Sequence, residues 1–302
     1  PASLQEASQF LAQHAGEARP ILGGTDCFVR MRDGFWKDRY LVDVKGLDGT
    51  TELTFSPEHG LTIGAAVNMN RVAQMQAVRD YYPLLAEAAE SVASFQLRSR
   101  ATIVGNICNA SPAGDTIGAC LAYQAVLHVH GVNGVRLEPL ATLFKGPGRT
   151  TLTPGDIVTA VSLPLPPQKH AAKYIKLGRN TKSDLSIVGV AVMGFVDASA
   201  PSGFRFRLAL ASVAPPFDQA WPDPVLIEAV RTFRGEPEDE KTITLSRDPF
   251  KGHAANLVRS RAGDRAEAEI LVLVKREEGG AAARERTTAC PSCRRRFRVV
   301  GR

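Results

Sequence analysis

"ATIVGNICNASPAGD", Ala101 to Asp115, is the stretch on which the reading of this chain turns. Gly105, Ala110 and Gly114 leave it nearly bare, Asn106, Asn109 and Pro112 crowd between them, and Asp115 closes it. Its apolar residues do not repeat at helical spacing, so it reads as a loop at the end of a strand. A backbone without Cβ atoms approaches a ligand closely and turns its N–H groups toward it. Several such groups together form a nest suited to a phosphate.

A second bare stretch, "ILGGTD" from Ile21 to Asp26, lies nearer the N-terminus. Either stretch alone reads more readily as an ordinary tight turn. Neither has the G-x-G-x-x-G spacing of a dinucleotide fingerprint or the G-x-x-x-x-G-K-[ST] spacing of a nucleoside-triphosphate loop. No G-x-S-x-G nucleophile elbow is present.

Outward from these stretches the chain alternates between helix and strand signals. "PASLQEASQFLAQHAG" reads as a helix, with Ser3 and Glu6 in capping-box spacing and Gly16 as its stop. "ARPILGGTD" and "RYLVDVKG" read as strands, and "TELTFSPEHGLTIGAAV" as two strands around a turn. "NRVAQMQAVRDYYPLLAEAAESVA" is helical and broken at Pro83, and "GACLAYQAVLHVHG" passes from helix into strand. A Pro-rich exit near 167 marks a boundary. Beyond it, "AAKYIKLG", "SIVGVAVMGFVD" and "FRFRLALASVAP" alternate as three antiparallel strands, and "PDPVLIEAVRTFRG" reads as a helix.

The 302 residues suffice for two domains, and no apolar run reaches the ~20 residues of a membrane span. With no charged-then-apolar leader either, a soluble cytoplasmic protein is expected. The formal net charge is +6, but residues 279–302 hold seven arginines against one glutamate. The body is therefore close to neutral, which argues against nucleic acid as its partner. Cys27, Cys108 and Cys120 read as small buried hydrophobes, and the six histidines have no metal spacing. Cys290 and Cys293 form half a zinc site in a segment too poor in apolar residues to fold, so a disordered tail without metal is expected.

Taken together, "ILGGTD", "LTIGAAV", "ATIVGNICNASPAGD", "TPGDIVTAVSLP" and "KYIKLGRNTKSDLSIVGVAV" resemble the FAD-binding medium subunit of molybdenum hydroxylases. That family includes carbon monoxide dehydrogenase and xanthine dehydrogenase. The resemblance covers about residues 1–216, in the family's order and at its spacing. It implies an α+β fold: a two-part α/β FAD-binding domain of the PCMH type over 1–167, then a smaller domain of three antiparallel strands plus helices over 168–278. The tail would occupy 279–302.

The resemblance also implies a FAD site. Ile21, Leu22, Gly23, Gly24, Thr25 and Asp26 would offer backbone N–H groups to the pyrophosphate from the first loop. Thr102, Val104, Gly105 and Asn106 would do so from the second, with the Thr102 hydroxyl also available. Asn109 and Ser111 match the family's Asn-Ala-Ser-Pro run. Asp115 would hydrogen-bond the ribose or the flavin side, because hydroxyl donors need acceptors. Val158 would pack on the adenine or flavin, and Lys176 would stand near the isoalloxazine as a cation able to tune its electronics. Val104 departs from the second glycine that many relatives carry, and should restrict the loop. The resemblance further implies a short strand ahead of Pro1 and no four-iron cluster.

The function implied is electron transfer. Substrate would be oxidised at a molybdopterin large subunit, and electrons would cross two-iron two-sulfur clusters of a small subunit to FAD here. From FAD they would pass to quinone, NAD or oxygen. A dimer of heterotrimers is expected, with no catalytic acid, base or nucleophile and no metal ligand in this chain. The alternative is a stand-alone FAD-dependent oxidase or reductase of the same superfamily, in which a histidine or cysteine often holds the flavin covalently. None of the histidines falls in either glycine loop, but Cys27 and Cys108 lie beside them.

Overall fold

Ser3 starts the first helix, α1 (Leu4–Gln13), by accepting the Glu6 N–H at 3.1 Å. Glu6 completes a variant of the capping box, because its carboxylate accepts from the Ala2 N–H at 2.6 Å, one residue before the cap. Ala7 and Leu11 turn inward onto Val42, Val44, Leu47 and Ile157. The computed structural model describes residues 1–177, 185–186, 188–200 and 203–211, together with the backbone of six strands between 225 and 301.

After α1 comes a β-α-β unit. Strand β1 (Ala18–Ile21) runs parallel to β2 (Tyr40–Asp43), with α2 (Cys27–Arg32) crossing between them. The sequence reading has the strands but not the helix, since six residues are too few to show a helical period. A parallel pair demands such a crossover, and this one leaves the glycine stretch at the carboxyl end of β1.

The next part is an antiparallel sheet with helices over one face. It contains β3 (Leu53–Ser56), β4 (Gly60–Gly64), β5 (Val126–Gly131), β6 (Gly134–Pro139) and β9 (Ile157–Leu163). A small separate hairpin, β7 (Phe144–Gly146) and β8 (Arg149–Thr150), precedes β9. The order across the larger sheet is β3-β4-β9-β5-β6. Between β4 and β5 run α3 (Met69–Gln74), α4 (Gln76–Tyr81), α5 (Pro83–Glu90), α6 (Phe95–Arg98), α7 (Ile103–Asn109) and α8 (Asp115–Ala122). Pro83 breaks the helical run as read, and it does so by starting α5, where a missing N–H costs nothing. Leu61, Ile63, Leu127 and Val161 from the sheet are sealed in one core with Leu84, Leu85, Ile103, Ile107 and Ile117 from the helices.

A second antiparallel sheet follows: β10 (His170–Leu177), β11 (Val188–Val196), β12 (Phe204–Ala211) and β13 (Val225–Val230), in that order. The first three are the strands the alternation predicts. Val225–Val230 corrects the helix read there: the open edge of β12 offers a ladder to a segment rich in β-branched residues, and pairing prevails over local spacing. Helix α8 lies against β11 and β12, and α5 against β10. A methyl group on Gly118 of α8 would stand 3.2 Å from the Ala191 Cβ, so small residues on both sides set this close approach.

Pro1–Arg231 forms one compact unit and Thr232–Arg302 another. The second is a five-stranded sheet of β14 (Ile243–Thr244), β15 (Asn256–Leu257), β16 (Leu271–Val274), β17 (Arg286–Ala289) and β18 (Arg296–Gly301), ordered β14-β15-β16-β18-β17. Strands β17 and β18 lie within the stretch expected as a disordered tail. Cys290 and Cys293, between them, lie outside the described residues.

Candidate cofactor site

The first glycine stretch leaves β1 at its carboxyl end, the position where ligands bind in open α/β sheets. Ile21 is buried at the end of the strand, and Leu22 packs into both hydrophobic clusters. Among the described residues, the amides of Gly23, Gly24, Thr25 and Asp26 donate to no protein acceptor. Gly24 has φ +72°, a left-handed conformation that strains other residues, and its Cα faces the Phe28 ring. A methyl group on Gly23 would land 2.8 Å from the Arg100 carbonyl carbon and nearer still to its oxygen. The first stretch is thus seated directly on the backbone that leads into the second.

The second stretch is where the sequence reading needs its main correction. It is not a loop at a strand end but the start of α7, with Thr102 as N-cap accepting the Gly105 N–H at 2.9 Å. Ile103, Val104 and Ile107 are all buried, so the apolar residues sit on one face after all; seven residues are too few for the period to declare itself. Val104 is helical, and the restriction expected of it becomes a match to the fold. Its N–H has no protein acceptor among the described residues. Thr102 is buried, with its oxygen engaged by Gly105. Asn106 Oδ1 accepts from the Thr116 hydroxyl at 2.7 Å, which ties α7 to α8.

Helix α7 ends on Ala110 at φ +48°, ψ 36°, a left-handed cap held on its carbonyl side by the Gly148 N–H at 2.9 Å. Just before it, Asn109 Nδ2 donates to Asp26 Oδ2 at 3.1 Å, a bond that joins the two stretches across 83 residues. Asn109 Oδ1 is sealed from solvent, without a hydrogen-bond partner among the described residues. Ser111 accepts from the Ala113 N–H at 3.3 Å and so shapes the turn into α8.

Asp115 opens α8 and meets two residues of β10. Tyr174 donates to its Oδ1 at 2.7 Å and Lys176 Nζ to its Oδ2 at 2.8 Å; Lys176 also donates to the Ser91 carbonyl at 3.1 Å. Both side chains of the ion pair are largely buried, at 8% and 15% exposure. Burial pushes the Asp115 carboxyl up, against the opposing pull of Lys176 and Tyr174. Burial, reinforced by the neighbouring carboxylate, pushes the Tyr174 phenol up as well, so it stays a donor. Sequence reasoning names Asp115 and Lys176 separately and misses Tyr174, although strand alternation puts 174 and 176 on one face. It also misses Glu87, which accepts from the Tyr174 N–H at 3.0 Å and from Lys173 Nζ at 2.6 Å. Val158 stands apart from these contacts, buried in the main core on β9.

Of the thiols beside the glycine stretches, Cys27 is buried and Cys108 is partly buried. Burial pushes the Cys108 thiol up to about 12 and raises that of Cys27. His128 and His130 lie on one face of β5, and His128 Nε2 pairs with the Ser162 hydroxyl at 3.0 Å. Among the described residues, no cluster of three or more His, Cys, Asp or Glu could hold a metal ion. Nor is any described helix long and apolar enough to cross a membrane.

The model of the family described as the FAD binding domain in molybdopterin dehydrogenase matches residues 1–166. The chain belongs to this family. It is 32% identical to the carbon monoxide dehydrogenase medium chain of Hydrogenophaga pseudoflava, over 71% of this chain and 74% of that one. It is 29% identical to the xanthine dehydrogenase FAD-binding subunit of Escherichia coli O157:H7, over 71% and 73%. The solved carbon monoxide dehydrogenase from Hydrogenophaga pseudoflava that lacks the Mo-pyranopterin moiety superposes with a TM-score of 0.67 at 27% identity, covering 76% of this chain and 75% of that one. Quinoline 2-oxidoreductase from Pseudomonas putida 86 shares the fold, with a TM-score of 0.65 at 24% identity over the same shares.

As a member of the family, the chain is an FAD-binding oxidoreductase subunit with the α+β, PCMH-type fold. The residues present fit the cofactor. Amides of the first stretch, without protein acceptors among the described residues, suit the acceptor-only oxygens of a pyrophosphate.

Proposed function

We propose that this chain is the electron-transfer subunit of a molybdenum hydroxylase, binding FAD between Ile21–Asp26 and Thr102–Asp115. The observation that carries this is the junction of the two stretches: Gly23 seated on the Arg100–Ala101 backbone, beside the four amides of 23–26 that have no protein acceptor among the described residues. Bound FAD supplies the exchange of electrons between a donor and an acceptor. The protein's part is to bind and orient it. The first stretch meets the pyrophosphate with N–H groups, and the Thr102 cap fixes the start of α7 beneath it. The buried Asp115–Tyr174–Lys176 triad fixes the seam between α8 and β10, with Lys176 as the cation of the flavin side. Val158, on β9, backs the site from within the main core.

The partners are an iron–sulfur small subunit and a molybdopterin large subunit, assembled as a dimer of heterotrimers in the cytoplasm. Electrons arrive from two-iron two-sulfur clusters and leave to quinone, NAD or oxygen. The relatives' names support this, since they are a medium chain and a FAD-binding subunit of dehydrogenases. A domain limit at 167 belongs to the same reading, whereas the limit expected between 278 and 279 does not, since β16 pairs with β18 across it. A stand-alone flavoenzyme with flavin held covalently through cysteine is less favoured, because burial raises both nearby thiols and thiolate is the nucleophile.

Co-expression with iron–sulfur and molybdopterin subunits tests the proposal. Substrate should bleach the flavin absorbance of the complex and leave that of the isolated, FAD-loaded chain unchanged. Bleaching of the isolated chain by an organic substrate would refute it.

A further inference from the structure

Helix α5 runs out into three successive carbonyls, those of Ser91, Val92 and Ala93, to which no backbone N–H donates among the described residues. Two cations answer them. Lys176 Nζ donates to the Ser91 carbonyl at 3.1 Å, while Arg98 Nη1 donates to the carbonyls of Val92 at 2.8 Å and Ala93 at 3.1 Å. Carbonyls left over at a helix C-terminus favour positive charge in this way. Ala93 has φ +39°, a left-handed conformation that a residue with a Cβ keeps only where its surroundings impose it. The contact that does so here is the Arg98 guanidinium, which draws two adjacent carbonyls to one nitrogen.

Arg98 is itself held in place. It forms no ion pair among the described residues, and its Nε donates to Asn70 Oδ1 at 3.2 Å. Asn70, on α3, is buried, and its Nδ2 donates to the Phe95 carbonyl and the Ser99 hydroxyl, both at 2.9 Å. The Ser99 hydroxyl spends its own proton on the Phe95 carbonyl at 3.0 Å, so both neighbours are acceptors and take the NH2 end of the amide. The oxygen is thereby left for Arg98. A line of contacts runs from α3 through Asn70, Arg98 and the 91–93 turn to Lys176, and from there to Asp115.

We propose that Arg98 is a positioning residue for Lys176: by clamping the 92–93 carbonyls it aims the Ser91 carbonyl at the ammonium group and holds that cation on the flavin side of the site. This rests on the reading of Lys176 as the flavin-side cation given above, and adds the group that sets its place. Without the clamp Ala93 relaxes, the Ser91 carbonyl turns away, and Lys176 is drawn onto Asp115, which neutralises it.

The test is the flavin midpoint potential of the FAD-loaded full chain in Lys176→Gln, Arg98→Met, Arg98→Lys and Asn70→Ala. A cation beside the isoalloxazine favours the reduced, negatively charged flavin. Arg98→Met should therefore weaken binding of reduced FAD about tenfold more than that of oxidised FAD, a fall of about 30 mV for a two-electron couple. Arg98→Lys keeps the charge but loses the planar fork, so its potential should fall as well, and that of Asn70→Ala in part. In the Lys176→Gln background Arg98→Met should add nothing, and ADP affinity should be unchanged throughout. Should Arg98→Met fail to fold, Arg98→Lys and Asn70→Ala carry the same comparison. A wild-type potential in Arg98→Lys beside a fallen one in Arg98→Met would overturn the proposal, because the charge of Arg98 would then act directly. A loss of ADP affinity equal to that of FAD would also overturn it, since Arg98 would then serve the fold around the second stretch. Unchanged potentials in the Arg98 variants, while that of Lys176→Gln falls, would overturn it and leave Lys176 in its role. An unchanged potential in Lys176→Gln would overturn that role and the proposal with it.

Discussion

Replacing Gly23 by alanine should damage FAD binding more than its single methyl suggests. The added carbon would stand 2.8 Å from the Arg100 carbonyl carbon and 3.2 Å from the Ala101 Cα, where non-bonded carbons rest at about 3.5–4.0 Å. Both obstacles are backbone, so no side-chain rotation relieves them. The two stretches must part by about 1 Å, and overpacking of this kind costs about 1–3 kcal/mol. If FAD binds only the closed seat, that cost appears as a loss of affinity between about 5-fold and 150-fold. Isothermal titration of the stripped protein with FAD measures it, and far-UV circular dichroism checks that the variant folds. Gly24→Ala is the informative contrast: its methyl meets ring carbons of Phe28 at 2.6 and 2.9 Å, and its φ is +72°. Phe28→Ala should recover the steric part of that loss, whereas no side-chain deletion should rescue Gly23→Ala. Wild-type affinity in Gly23→Ala would refute the claim that this seat holds the cofactor loops together.

Breaking the buried pair by Lys176→Met should cost about 3–5 kcal/mol, because Asp115 is then left inside without its cation. Asp115→Asn combined with Lys176→Met should recover most of this in thermal unfolding; simple additivity would count against a coupled pair. Asp156 accepts from Arg136 at 2.7 and 2.9 Å and from the Thr153 N–H and hydroxyl at 2.7 and 2.9 Å. Although burial alone would raise its carboxyl, these donors bring it below the ordinary value of 3.8. Its folded-state value being the lower one, the stability it contributes is present above pH 3.8 and fades as pH falls further. Asp156→Asn should flatten that acid limb of a stability-against-pH curve, and an unchanged limb would assign it to other carboxylates.

Much of this was legible in the sequence, for reasons that can be named. Caps and breakers act locally, so Ser3 and Pro83 announced α1 and α5 from their own neighbourhoods. Alternation is equally local, and β10, β11 and β12 fell where it put them. The bare glycines at 23 and 24 marked a place of close approach, whereas Asp115 and Lys176 stood out only through the family resemblance. Tertiary structure decided the rest. A seven-residue helix has too few turns to show its period, so only the burial of Ile103, Val104 and Ile107 revealed α7. The open edge of β12 made Val225–Val230 a strand where spacing read a helix. What Gly23 is bare for, and which groups Asp26 and Asp115 meet, depended on partners 59 to 83 residues away. Sequence names the groups that need partners; chain packing chooses the partners, because hydrogen bonds and steric contacts act over a few ångströms of space and take no account of separation along the chain.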